Sequence, residues 1–80
     1  MTNKYLHALD LIAKDDWHGA HQLIQHEHDK LSCLIHGYLH HQEGDIGNAT
    51  YWYQQAGQTL PQSTLEDEML RLYNLASIAK

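Results

Sequence analysis

Eight histidines stand among the eighty residues of the chain, and their type and spacing predict chemistry. His36 and His40 are one helical turn apart, and Glu43 follows on the same helix face. If two antiparallel helices are joined by a turn near residues 28–29, His21 lies opposite His36, because both are the same number of residues from the turn. Imidazoles and carboxylates are ligands of Zn(II) and Fe(II). The spacing therefore predicts a metal site at His21, His36, His40 and Glu43.

The same histidines also have a structural interpretation. A buried imidazole needs partners for its ring nitrogens, and Tyr53, Asn48, Asp45 or backbone carbonyls are candidates. The sequence contains neither a His-Glu-x-x-His motif nor paired cysteines, which favours this interpretation. Under it, no cofactor is expected.

The remaining chemistry-bearing residues give weaker signals. Four histidines are predicted to lie at the surface: His18, His26, His28 and His41. His26 and His28 belong to a polar turn that either is solvated or binds a metal weakly. Cys33 reads as a small buried apolar residue, so nucleophilic catalysis is not indicated. Histidines buried in neutral form would make stability fall between about pH 7 and pH 5.

Helical periodicity governs the elements that must position these residues. Predicted helices cover residues 3–14, 17–27, 30–42, 46–56 and 64–79. The predicted boundary signals are N-caps at Asp16 and Asp45, a C-terminal Gly44, and a capping box at Ser63 and Glu66. The fold class is therefore all-α with about five short helices.

The length predicts a single domain over residues 1–80. Two helical hairpins are expected at about 3–28 and 30–57, with a C-terminal capping helix at about 63–79.

Composition excludes several classes of partner. Ten acidic residues against five basic ones give a net charge of −5, and no basic cluster exists to bind nucleic acid or an anionic membrane. The N-terminal segment lacks the apolar run of a signal peptide, and no run is long enough for a membrane helix. The single Cys33 suits a reducing compartment, so a cytoplasmic location is expected.

A helix–turn–helix pattern occurs twice: aligning residues 5–26 with 34–55 superimposes His7 on His36. Residues 30–63 resemble the tetratricopeptide repeat, a helical hairpin. The matching positions are Gly37, Gly44, Asp45, Ala49, Tyr53, Ala56 and Pro61. The resemblance implies a compact repeat-like fold.

A narrower resemblance covers residues 35–57. The motifs are His36-Gly37-Tyr38-Leu39-His40, Glu43-Gly44-Asp45, Asn48-Ala49-Thr50-Tyr51-Trp52-Tyr53 and Ala56-Gly57. They resemble the core of a family of small bacterial proteins. That family has an arginine at the position of His41 and a basic pair at the positions of Gln54 and Gln55. That family has no established activity, so the resemblance implies no function.

The architecture predicts an interaction module, either for a protein or peptide partner or for a homodimer, rather than an enzyme. The expected partner-binding residues are Tyr5, Leu9, Ile12, Leu34, Tyr38, His41, Gln42, Tyr51 and Trp52. The metal site is the alternative function, either as a binding protein or as a metal-dependent enzyme.

Overall fold

The computed structural model describes residues 3–79 and confirms an all-α fold. The helices are α1 (Lys4–Ala13), α2 (Trp17–Ile24), α3 (Lys30–Gln42), α4 (Ile46–Gln55) and α5 (Leu65–Ile78). None of the helices within this range is long and apolar enough to cross a membrane.

Side-chain caps and glycines set the helix boundaries. Asp16 and Asp45 cap α2 and α4 as predicted, each accepting a hydrogen bond from a backbone N–H three residues later. Gly44 has a φ of +89°, which lets the chain reverse between α3 and α4. The predicted capping box at Ser63 is wrong by one residue, because the hydroxyl of Thr64 caps α5 instead.

Helix α3 lies at the centre and packs against each of the other four helices. Every residue from Ser32 to His40 is consequently buried, on all sides of the helix rather than on one stripe. Because His36 and His40 lie in this stretch, the fold carries both imidazoles into the interior. They are 4% and 7% exposed.

Helix α4 approaches α3 closely at Gly37. A Cβ atom placed there would lie 2.6 Å from the ring of Tyr53, which is too close for any side chain to fit without movement. Tyr53 and Ala49 are fully buried on the inner face of α4, as the periodicity predicts. The ring of the neighbouring residue Trp52 stacks on His36 of α3.

A buried ionic network joins α4 to α5. Glu68 is 2% exposed, and its carboxylate accepts hydrogen bonds from the Tyr53 hydroxyl at 2.7 Å and from Nε and Nη2 of Arg71 at 2.8 Å. Arg71 Nη2 also donates to Gln58 Oε1 at 3.0 Å. All the charged and polar groups at the centre of this network therefore have partners.

The predicted partner-binding surface needs correction. Leu9, Ile12, Leu34 and Tyr38 are at most 3% exposed and form part of the core, because α1 and α3 pack against each other and against α5. Of the other predicted residues, Tyr5, His41 and Trp52 are half-buried, and Gln42 and Tyr51 are exposed. Because four of the nine predicted residues are in the core, the nine do not form one partner-binding face.

Candidate metal centre

Three imidazoles from two helices converge beside α4. His21 of α2 lies opposite His36 of α3, and their Nε2 atoms are 3.1 Å apart. One nitrogen from each of His21, His36 and His40 lies within 4.8 Å of the others. The antiparallel packing of α2 and α3 around the intervening turn produces this arrangement, as the sequence register predicts.

Aromatic rings hold the imidazoles in place from both sides. Trp17 stacks on His21 with ring centroids 4.7 Å apart, and Trp52 stacks on His36 at 4.0 Å. His36 and His40 stack on each other at 4.9 Å. Trp17 is itself fixed by a 2.9 Å hydrogen bond from its Nε1 to the backbone carbonyl of Leu39. We call these five rings, Trp17, His21, His36, His40 and Trp52, the imidazole cluster.

Glu43 orients His40 from outside the cluster. Its Oε2 lies 2.6 Å from His40 Nδ1. Because a carboxylate can only accept, Nδ1 carries a proton and donates a hydrogen bond to Glu43. A neutral His40 then presents the lone pair of Nε2 on its other side. This is the arrangement of a carboxylate that fixes the tautomer of a metal-binding histidine. The sequence predicted Glu43 as a ligand, but its carboxylate is used in orienting His40.

The interior position of the cluster disfavours positive charge. The pKa of His36 is lowered to about 4, first by burial and then by repulsion from the neighbouring His21 and His40 rings. The pKa of His21 is lowered by the same two causes, burial first and His40 second. Both rings are therefore neutral at pH 7, which is the form that binds metal.

The structural interpretation is met in part, because His40 has Glu43 as a partner, but none of the three side chains it named (Tyr53, Asn48 and Asp45) bonds to these imidazoles. The hydroxyl of Tyr53 donates to Glu68, and Asn48 bonds to Asp45, the N-cap of α4. His36 Nδ1 is buried and has no hydrogen-bond partner within residues 3–79. Its Nε2 lies at hydrogen-bond distance from Nε2 of His21, so one of these two nitrogens can donate to the other when no metal is bound.

The other predicted positions fall outside the cluster. His18, His26 and His28 are exposed as predicted, whereas His41 is half-buried and not exposed. The turn at 26–29 contributes its last residue, Asp29, to the N-cap of α3 and to a 2.8 Å hydrogen bond from Tyr5. Cys33 is a buried free thiol whose pKa is raised by burial, in agreement with its predicted role.

Sequence reasoning missed two contributions to this region. The first is the stacking of Trp52 on His36, which accompanies the close approach of α4 at the small residue Gly37. Asp45 lies near His40 and Glu43 with an oxygen within 4.8 Å of their ligand atoms, but both carboxylates are exposed.

The chain matches no protein-family model, and no curated protein or solved structure shows a significant match to it. The resemblances to tetratricopeptide repeats and to a bacterial family stay predictions.

Proposed function

We propose that the chain binds one transition-metal ion through His21, His36 and His40, with Glu43 orienting His40. The main support is the convergence of three imidazoles from two helices, with two Nε2 atoms 3.1 Å apart. Two nitrogen ligands of a tetrahedral zinc ion lie about 3.3 Å apart, because each Zn–N bond is about 2.0–2.1 Å long. A small movement of the rings would accommodate the ion.

Of the two metals that the residue types suggest, the geometry favours Zn(II). Non-haem Fe(II) sites ordinarily combine two histidines with a ligating carboxylate. The Glu43 carboxylate is hydrogen-bonded to His40, which leaves three imidazoles as the ligand set. Three protein ligands are typical of zinc sites that keep a fourth position for water or another molecule.

Binding by untagged, chelator-washed protein tests the proposal. Isothermal titration with Zn(II) should give one ion per chain, and Fe(II) under anaerobic conditions should bind more weakly. His21→Gln removes a ligand from a half-buried position, so it should weaken Zn(II) binding by more than the roughly 10–100-fold typical of losing an outer-shell partner.

His26→Gln is the matched control, because His26 is exposed just beyond the end of the same helix. It should leave the affinity unchanged. Failure of the wild-type protein to bind stoichiometric zinc, or equal losses in both variants, would contradict the proposal.

A second candidate function is interaction with a protein or peptide, or with a second copy of the chain. It is supported by the exposed apolar residues of α4, since Ile46 and Tyr51 are 48% and 51% exposed. Light scattering of the wild type and of Tyr51→Ser would test self-association; a monomer at all concentrations contradicts it. In either role we propose a cytoplasmic location, because the free Cys33 suits a reducing compartment.

A further inference from the structure

A cavity of about 250 Å³ opens between α3, α5 and the segment that joins α4 to α5. It is lined by Lys30, Leu31, Leu34, Gln58, Arg71 and Leu75. Three leucines provide an apolar wall, and the two cations and the amide provide the polar part. None of these residues belongs to the imidazole cluster, so the cavity is a separate feature of the fold.

The charge at this cavity is opposite to that of the whole chain. Acidic residues outnumber basic ones by ten to five, yet no Asp or Glu lines the cavity and two of the five cations do. Lys30 forms no ion pair with any residue in 3–79, so its ammonium group is available to an outside anion. Arg71 is paired with the buried Glu68, so the positive charge that stands unpaired within residues 3–79 beside the apolar surface is that of Lys30.

Arg71 is held in position before any ligand arrives. Its Nε and Nη2 atoms donate to Glu68, which is buried, and Nη2 also donates to Gln58. Its Nη1 atom makes no hydrogen bond within residues 3–79, although a guanidinium carries two donors there. A fixed guanidinium loses little conformational entropy when it binds an anion.

We propose that this cavity binds a short aliphatic monocarboxylate. The carboxylate would bind Lys30 and Arg71, and the hydrocarbon chain would lie against Leu31, Leu34 and Leu75. The volume is just below the roughly 300–1,000 Å³ of ordinary ligand pockets, which favours a small molecule over a bulky one.

Titration of isotopically labelled protein with sodium hexanoate, followed by nuclear magnetic resonance, tests this assignment. Saturable shifts are expected in the methyl signals of Leu31, Leu34 and Leu75. Hexanol should bind more weakly because it lacks the charge. Lys30→Gln should weaken hexanoate binding about fivefold, the upper range for a partly exposed ion pair.

The matched control is Lys14→Gln, since Lys14 is an exposed lysine outside the cavity and its loss changes the net charge equally. It should leave hexanoate binding unchanged. The assignment is overturned by equal affinity for hexanoate and hexanol, by equal losses in the two lysine variants, or by the absence of saturable shifts. Tighter binding of a short peptide with a C-terminal leucine would overturn it in favour of a peptide partner.

Discussion

Two buried polar clusters lie on either side of Tyr53 and Trp52 in α4, and they differ in how fully the protein satisfies them. Around Glu68, both carboxylate oxygens have donors, and Arg71 is also bonded to Gln58. In the imidazole cluster, Glu43 is the only carboxylate that bonds to a ring nitrogen within residues 3–79, and His36 Nδ1 has no partner there. The first network is a complete structural joint, whereas the second contains a buried nitrogen that no group in this range satisfies.

The two clusters also differ in the charge that they tolerate. Hydrogen bonding to Glu68 raises the pKa of Arg71, and burial together with the same carboxylate raises the pKa of Tyr53, so the network retains one ion pair. Burial lowers the pKa of His36 instead, and the neighbouring imidazoles of His21 and His40 lower it as well. The network around Glu68 therefore contains an ion pair with a buried carboxylate. In the imidazole cluster His21 and His36 are neutral at pH 7, and a bound metal ion would bring the positive charge.

Removing the carboxylate of the ionic network should have the largest effect. Glu68→Ala leaves the buried Tyr53 hydroxyl without an acceptor and the Arg71 guanidinium without its carboxylate partner, and should lower the free energy of unfolding by about 3–4 kcal/mol. Urea denaturation measures this loss. Glu66→Gln, an exposed change in the same helix turn, should cost under about 0.5 kcal/mol.

If the clusters are independent, Glu68→Ala should leave Zn(II) affinity unchanged under conditions where the variant is folded. A loss of affinity as large as that of His21→Gln would show that they are not separate.

Acid should act on the metal-free imidazole cluster. Because the pKa of His36 is about 4 when folded against an ordinary 6.5, its contribution to stability is complete above pH 6.5 and is lost as the pH falls toward 4. The loss should reach about 2–3 kcal/mol by pH 4. This window is lower than the range between pH 7 and pH 5 that the sequence suggested.

Urea denaturation of wild type and His36→Gln across this pH range measures the effect. The variant should show a shallower decline because it has no imidazole to protonate at that position. Parallel curves would mean that His36 does not carry the pH dependence.

A methyl group at Gly37 should disturb both clusters through α4. Gly37→Ala places its Cβ 2.6 Å from the Tyr53 ring, so α3 and α4 must separate, at a cost of about 1–3 kcal/mol. Zn(II) affinity should also fall, since Trp52 moves with α4 away from His36. Gly47→Ala is the control: its Cβ meets open space in the same helix, and it should be neutral or slightly stabilising. Equal stability of the two variants would contradict the close packing at Gly37.

The smallest effect is expected for Glu43→Gln, which keeps the shape of the side chain and removes its charge. Zn(II) affinity should fall about tenfold, because His40 loses the carboxylate that orients it. Stability of the metal-free protein should change by less than about 1 kcal/mol, since the Glu43 side chain is 41% exposed and solvent weakens its interaction with His40. Competition with a chromophoric chelator measures the affinity. An unchanged affinity would assign Glu43 no part in the site.

The sequence was sufficient for the features that depend on local pattern. Helix periodicity and capping residues predicted the five helices, and equal distances from one turn placed His21 opposite His36. Burial of Glu68 could not be predicted, because a carboxylate is expected at the surface unless its partners are known. Residues 30–42 indicate a helix with a broad apolar face, but that pattern alone does not show that four helices will cover α3.

The placement of the tryptophans has a practical consequence. The sequence contains two, Trp17 and Trp52, and each stacks directly on a histidine of the imidazole cluster. Intrinsic indole emission from the whole protein therefore originates entirely at this one place. A paramagnetic ion such as Cu(II) bound to the imidazoles should quench it, while events elsewhere on the surface leave it unchanged. The fold thus supplies an internal optical reporter of its own candidate centre, with no label required.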